Sequence, residues 1–432
     1  MTAPRLLPLL LWILPGVAAA QPVPARTLDV LHYSVQLTPD IQRRALAGRV
    51  DITVKALADG ADALLLDVGA LRIDRVGSSG AALSHTDVDG RLRVALPPLR
   101  SGQQRRIRID YHGRPRFGLE FAPARDEVYT VFSTSQWMPT VDAPDERATL
   151  DLSVRLPAGL LAAGTGRPMP SSDPTVHRWR LDTPMPSYVY GFAAGRYNAH
   201  ESVVDGIALR ALSMDHSPAE LQAIVAGTGD MLRFFGERAG VPWRGTYTQV
   251  LVERTIGQEL AGLSLLSEAY GAGVLADPSN IALIAHEAAH QWWGNLVTCR
   301  DWRHFWLNEG FANFMAAAWI ERRFGGQAYA RQVARWQARV ERLRAEGKDR
   351  ALVFPDWDAP GADDRAVVYQ KGAYVLHLLR QELGEDAFWR GVRRYTRRHA
   401  GQAVDSTDLR RAMEHASRRD LGDFFARWVD GT

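Results

Sequence analysis

The period of the apolar residues changes near residue 200, and this change splits the chain into two structural regimes. From about Leu28 to Tyr197 the period is two: Leu31, Tyr33, Val35 and Leu37 alternate with His32, Ser34 and Gln36. The same alternation recurs in Val50–Val54, Ile107–Tyr111 and Leu150–Val154. Successive side chains of a strand point to opposite faces, so these runs predict half-buried strands. Turn residues such as Asp89-Gly90 and Pro97-Pro98 separate them. A largely antiparallel sheet with one solvated face accounts for the pattern. After about His200 the period becomes 3.6. Ser217-Pro218-Ala219-Glu220 reads as a capping box with proline at the first helical position. Leu221, Ile224, Val225, Leu232 and Phe235 follow on one face. Asp277-Pro278 is expected to open a helix that stops near Gly294, Asn308 to cap another, and Val367–Leu383 to form a further one. A small sheet containing Thr248–Glu253 accompanies them. The expected fold class is α+β with two domains, an antiparallel sheet domain over 21–200 and a mainly helical one over 201–432.

Residues 1–20 belong to neither regime. Arg5 supplies a positive start, Leu6–Leu14 a short apolar core broken by Pro8, and Ala18-Ala19-Ala20 a small-residue cleavage site. This is the pattern of a cleavable signal peptide, too short and too interrupted to span a bilayer. Export to a periplasmic or extracellular space is expected, with no membrane anchor after cleavage. Cys299 is the only cysteine, so an intramolecular disulfide is excluded. The formal charge of +3 is too small to imply nucleic-acid binding. The arginine-rich runs 331–344 and 390–398 carry helical spacing with interleaved apolar residues and are read as solvated amphipathic faces.

Chemistry concentrates in one segment, His286-Glu287-Ala288-Ala289-His290. Residues four apart on a helix share a face, roughly 5–6 Å apart at Cβ, so both imidazoles can reach one ion. Neutral imidazole suits zinc, and Glu287 stands beside the first ligand, where it can take a proton from water. The flanks are apolar (Ile281, Leu283, Ile284, Trp292, Trp293), and two histidines with a glutamate are costly there without a partner. A second helix carries a carboxylate, Glu309, near its start. The rival pattern with a third histidine fails, because Leu296 stands where that ligand would be.

These residues, with Trp292-Trp293-Gly294-Asn295 and Trp306-Leu307-Asn308-Glu309-Gly310-Phe311-Ala312, resemble the aminopeptidase N family of gluzincin zinc metallopeptidases. That family also contains leukotriene hydrolase. The resemblance implies a saddle-like sheet domain followed by a thermolysin-like catalytic domain, in a short form lacking the family's C-terminal helical domain. It implies one zinc ion per chain, held by His286, His290 and Glu309, with Glu287 as general base. The family's Tyr-x-Lys-Gly segment matches Tyr369-Gln370-Lys371-Gly372, which makes Tyr369 the oxyanion donor. Gly257-Gln258-Glu259-Leu260 is similar to the family's exopeptidase signature. Glu259 keeps the carboxylate that grips a substrate α-ammonium, while Gln258 and Leu260 replace methionine and asparagine. Gln136, upstream of Pro139-Thr140-Val141-Asp142-Ala143-Pro144, corresponds to the residue that the sheet domain lends to the amine site.

The implied activity is removal of N-terminal residues from peptide substrates. A zinc endopeptidase of the same clan and a non-catalytic peptide-binding relative are the alternatives. Cys299, His304 and the clustered tryptophans are expected to be structural.

Overall fold

A computed structural model describes residues 26–254, 256–354 and 360–431. The signal-peptide expectation for residues 1–20 lies outside them. The amino-terminal half is built as the alternation predicts. Eight strands form one sheet in the spatial order Arg167–Met169, Val176–Pro186, Arg147–Arg155, Leu28–Asp40, Ala45–Ala56, Gln104–Gly113, Arg72–Ser78 and Ala81–Ala82. Only the pairing of Leu28–Asp40 with Arg147–Arg155 is parallel within it. Tyr33, Val35, Val50, Ile52, Val54, Ile107, Ile109, Leu150 and Leu152 are buried in a core that also takes Trp137 and Tyr190. Arg49, Asp51, Arg108 and Asp110 ladder across the opposite, polar face. A three-stranded sheet and a four-stranded sheet complete this half.

Pro97 and Pro98 are not turn residues; both lie inside the strand Arg91–Leu99. The strand tolerates them because its pairing with His85–Val88 ends at Val94, and a register shift interrupts its pairing with Ala61–Asp67 after Ala95. Neither proline therefore meets a neighbour that needs its missing N–H.

The second half opens with a five-stranded mixed sheet, ordered Asn198–Val204, Ile207–Ser213, Thr246–Val252, Leu263–Ser267, Gly257–Gln258. Helices follow: α1 (Pro218–Ile224), α2 (Thr228–Ala239), α3 (Glu268–Ala276), α4 (Ala282–Ala289), α5 (Trp306–Phe324), α6 (Gly326–Ala345), α7 (Ala362–Ala366), α8 (Gly372–Leu383), α9 (Glu385–Arg398) and α10 (Ser406–Ser417). The capping box at Ser217 and Glu220 forms as expected. Its helix breaks at Val225, so Leu232 and Phe235 reach the core from α2 instead. The core of this half gathers Trp292, Trp293, Trp306, Phe311, Trp319 and Tyr395, all almost completely buried. Cys299 is buried, and His304 Nδ1 lies 3.0 Å from Ser406 Oγ. Among the described residues no helix is long and apolar enough to cross a membrane.

Arg147 joins the halves. Its buried guanidinium reaches out of the eight-stranded sheet to Thr298 Oγ1 at 2.6 Å and to the Asn295 carbonyl at 2.9 Å. Burial draws its pKa down to about 10. Tyr188 adds a second link, donating to Gly294 O at 2.6 Å. Both grip the loop that follows α4.

Candidate metal centre

Helix α4 begins later than its sequence suggests. Asp277 does not open it; that residue ends α3, and its carboxylate accepts from Ser279 N and Oγ in a local turn. The start of α4 is covered instead by Tyr270, whose hydroxyl accepts from Leu283 N at 3.2 Å and donates to Asn280 O at 2.7 Å. Four alanines at 282, 285, 288 and 289 favour the short helix and leave its faces free to pack tightly. His290 is its C-terminal cap, still in helical conformation, so the four-residue spacing to His286 holds. Gly294 then turns the chain at φ +127, and a Cβ there would lie 2.8 Å from His290 Nδ1. A side chain at this position would meet both constraints, in backbone and in space.

Asn308 likewise does not cap α5, which begins at Trp306. Its side chain bridges the halves, accepting from Cys299 N at 3.0 Å and donating to Tyr188 Oη at 3.2 Å. Glu309 follows in the first turn of α5 and faces α4.

Three ligand atoms converge there. His286 Nε2 and His290 Nε2 are 3.0 Å apart, and Glu309 Oε2 lies 3.2 and 3.3 Å from them. All three residues are buried, and among the described residues this is a group with metal-ligand geometry. The tautomers follow from the surroundings. His290 Nδ1 is 2.9 Å from the Trp293 carbonyl and so carries its proton there. His286 Nδ1 is 3.0 Å from Asn313 Oδ1, and the Asn313 amide is oriented by donating from Nδ2 to Tyr369 O at 3.0 Å. With both protons on Nδ1, two nitrogen lone pairs and a carboxylate oxygen point at one another. Glu309 Oε2 accepts no hydrogen bond among the described residues. Such a buried arrangement requires a positive charge at its centre, and two imidazoles with one carboxylate match the donor set of zinc.

The carboxylates around the triad favour positive charge at its centre. Burial lowers His290, but Glu309, Glu259 and Glu287 outweigh it and hold the ring up to about 10. Burial and the neighbouring His290 push His286 down. Burial raises Glu309, yet the two histidines draw it down to about 2.

Glu287 is buried beside the triad, and burial drives its pKa well up, with Glu259 and Glu309 adding to the rise against the pull of His290. Gly257, on the edge strand of the five-stranded sheet, gives it room, since a Cβ there would overlap Glu287 Oε1. Glu259 is buried two residues further on, raised by burial with His290 opposing. Side chains following the metal helix fasten its loop: Asn295 Nδ2 donates to Glu259 O at 2.9 Å, and Gln291 bonds both Leu260 O and Gly262 N. The Gln258 amide is buried with no hydrogen-bond partner among the described residues.

Tyr369 arrives on a π-helical segment, Val367–Lys371, between α7 and α8. Such insertions re-aim side chains and recur at functional sites. Its ring stacks on His286 with centroids 6.1 Å apart, and burial and the Glu309 carboxylate raise its hydroxyl pKa. Lys371 turns away and donates to Asp349 Oδ1 at 2.7 Å. Gln136 is held within the amino-terminal half, its side chain filling space beside Gly69 and Gly118. Asn313, Tyr188 and Arg147 escaped the sequence reading, as did the room that Gly257 leaves for Glu287. Asn313 left one signal, a polar residue four positions after Glu309 and so on the same helical face.

Residues 263–428 match the Peptidase family M1 domain. The chain is 29% identical to Aminopeptidase N of Streptomyces lividans, over 94% of this chain and 50% of that protein. It is 25% identical to Leukotriene A-4 hydrolase of Xenopus laevis, over 89% and 68% respectively. It therefore spans about half the length of the Streptomyces relative, and 47% of Leucine aminopeptidase 2 of Aspergillus oryzae. The M1 zinc metallopeptidase of Deinococcus radiodurans superposes with a TM-score of 0.81 at 27% identity, covering 94% of both chains. A mutant of that protein is bound to a Tyr-Ser-Ala substrate.

Proposed function

Because residues 263–428 form a Peptidase family M1 domain within a chain folded throughout like a two-domain M1 zinc metallopeptidase, we propose that it is an exported zinc-dependent aminopeptidase. The observation that carries this reading is the buried carboxylate of Glu259, whose backbone carbonyl Asn295 fixes, beside a buried His286–His290–Glu309 triad whose ligand atoms converge closely enough to hold one cation.

Zinc held by His286, His290 and Glu309 would supply Lewis acidity toward the scissile carbonyl and lower the pKa of water at its open position to about 7. Glu287, its proton affinity raised by burial, takes a proton from the attacking water and delivers it to the leaving amine. Tyr369 keeps its proton and donates a hydrogen bond to the carbonyl oxygen as charge develops there. Glu259 accepts from the substrate α-ammonium and so presents the first peptide bond for cleavage. The peptide held by the Deinococcus protein supports peptides as the substrate class. The Arg5, Leu6–Leu14 and Ala18–Ala20 pattern supports a periplasmic or secreted location.

A free-amine aminoacyl anilide and its N-acetylated form, assayed with zinc stoichiometry, test the reading. Hydrolysis of the free amine alone, abolished by chelator and by Glu287→Ala, is expected. Cleavage of only the blocked substrate makes the protein an endopeptidase. Full activity in Glu287→Ala removes the general base.

A further inference from the structure

Beside the triad lies a second built feature that the proposed reaction does not use. Helix α6 sets Arg335, Arg339 and Arg342 four and three residues apart, on one face. Arg365 stands opposite on α7. These four arginines, with Asn313, Tyr369 and Gln370, line a cavity of about 640 Å³ that no aspartate or glutamate lines among the described residues. Arg339 is paired with Asp363 at 2.8 Å, and that carboxylate is already shared with Lys348 at 3.0 Å. Arg335, Arg342 and Arg365 are exposed, and no carboxylate partners them among the described residues. The run read from sequence as a solvated helical face is thus one wall of a cavity at the metal centre.

Its direction follows from its neighbours. Two of its lining residues, Asn313 and Tyr369, are the ones that bond and stack on His286. Glu259 lies toward the other histidine, His290: Asn295 donates from Nδ2 to Glu259 O at 2.9 Å and from its backbone N–H to His290 O at 3.0 Å. The carboxylate assigned to the amine and the arginine cavity therefore flank the triad from its two histidine sides. Guanidinium groups stay charged at every physiological pH and match carboxylates in a planar fork.

We infer that this cavity binds a carboxylate on the leaving side of the scissile bond, so that the protein selects peptides that are anionic after their first residue. The inference rests on the aminopeptidase reading for its orientation. The carboxylate has two sources with the same chemistry, an acidic side chain or the free C-terminus of a short peptide. A cavity of this size falls within the range that encloses small ligands, which suits two or three residues.

The test compares four peptides on the zinc-loaded enzyme: Ala-Ala-Ala-amide, Ala-Ala-Ala free acid, Ala-Glu-Ala-amide and Ala-Lys-Ala-amide. Binding of each to the Glu287→Gln protein is titrated in parallel, a readout that needs no turnover. The inference expects Kd at least tenfold lower, and kcat/KM at least tenfold higher, for one or both anionic peptides than for the neutral amide. The advantage shrinks as salt is raised. The free acid and the glutamyl amide tell the C-terminal source from the side-chain source. In the triple variant Arg335→Gln/Arg342→Gln/Arg365→Gln the anionic-to-neutral ratio falls to about one. Arg335→Glu/Arg342→Glu turns the preference toward the lysyl peptide. Because these side chains are exposed, thermal unfolding is expected to match the parent. Equal Kd for neutral and anionic peptides, or a preference that survives the triple variant, overturns the inference. Selective binding without hydrolysis of any peptide leaves the cavity assigned and overturns the peptidase reading instead.

Discussion

Gly310 and Gly372 meet backbone to backbone where α5 crosses α8: a Cβ on Gly310 would lie 2.9 Å from Gly372 Cα. The contact follows Glu309 by one residue and Tyr369 by three, so it sets the spacing between a metal ligand and the tyrosine that stacks on His286. A methyl at Gly310 has no flexible side chain to displace, only the neighbouring helix. In an open helix, alanine for glycine stabilises by about 1 kcal/mol. Here overpacking should outweigh that gain, and Gly310→Ala is expected to lower stability by about 1–3 kcal/mol and to reduce kcat as Tyr369 moves. Urea unfolding and steady-state kinetics check both, and a stabilised variant with full kcat removes the argument.

Gly257 makes room of another kind. Its φ is not positive, so alanine adds no backbone strain there, but the methyl overlaps Glu287 Oε1 and comes within 2.8 Å of Leu283 Cδ1. Both groups end side chains that can shift, so stability should change little while the base is displaced. Gly257→Ala is expected to lower kcat by about tenfold or more, the scale on which misplaced catalytic groups act, with zinc still stoichiometric. An unchanged kcat would show that Glu287 tolerates the displacement.

Asn313 links His286 to the backbone of Tyr369 through its two amide ends. Asn313→Ala removes the acceptor that fixes the His286 tautomer and frees the Tyr369 carbonyl. Outer-shell partners of this type affect metal affinity by about 10–100-fold. A loss in that range is expected by competitive chelator titration, with partial recovery in Asn313→Asp, which restores the acceptor but not the donor. Wild-type affinity in the alanine variant would place the tautomer under other control.

How much of this was readable depended on how local the cause was. Alternation in Leu31–Leu37 and the spacing of His286 to His290 are set within a few residues, and the strand and the paired imidazoles follow directly. The start of α4 is not local. Asp277 looks like a cap, but its carboxylate is spent on Ser279, and the helix is capped by Tyr270 from the preceding helix. Asn308 misled for the same reason, because its amide is spent on Cys299 N and Tyr188. Arg335, Arg339 and Arg342 had the right helical spacing, but only the approach of α7 turns that face into a cavity. Gly257, Gly310 and Gly372 stand in recognisable motifs, but what each packs against does not show there, since closeness between distant segments leaves no periodicity.

Glu127 offers a pH-dependent check of a region away from the metal. Its carboxylate is fully buried in the strand Glu127–Thr130, accepting from Tyr197 Oη at 3.1 Å and from Glu253 N at 3.4 Å. Burial lifts its pKa to about 7 from the ordinary 4.5 of a glutamate, with those hydrogen bonds and Arg125 opposing the rise. Between 4.5 and about 7 the folded state binds the proton more tightly than the unfolded chain does. Stability must therefore fall as pH rises through that window and level off above it. At about 1.4 kcal/mol for each pH unit across that window, the cost at pH 8 is at most roughly 3–4 kcal/mol. Glu127→Gln keeps an acceptor and removes the charge. It is expected to be more stable than the parent at pH 8, by about 1–3 kcal/mol, and to lose that advantage at pH 4.5. Urea unfolding at the two pH values measures the difference, and an advantage of equal size at both would mean that the Glu127 charge plays no part in it.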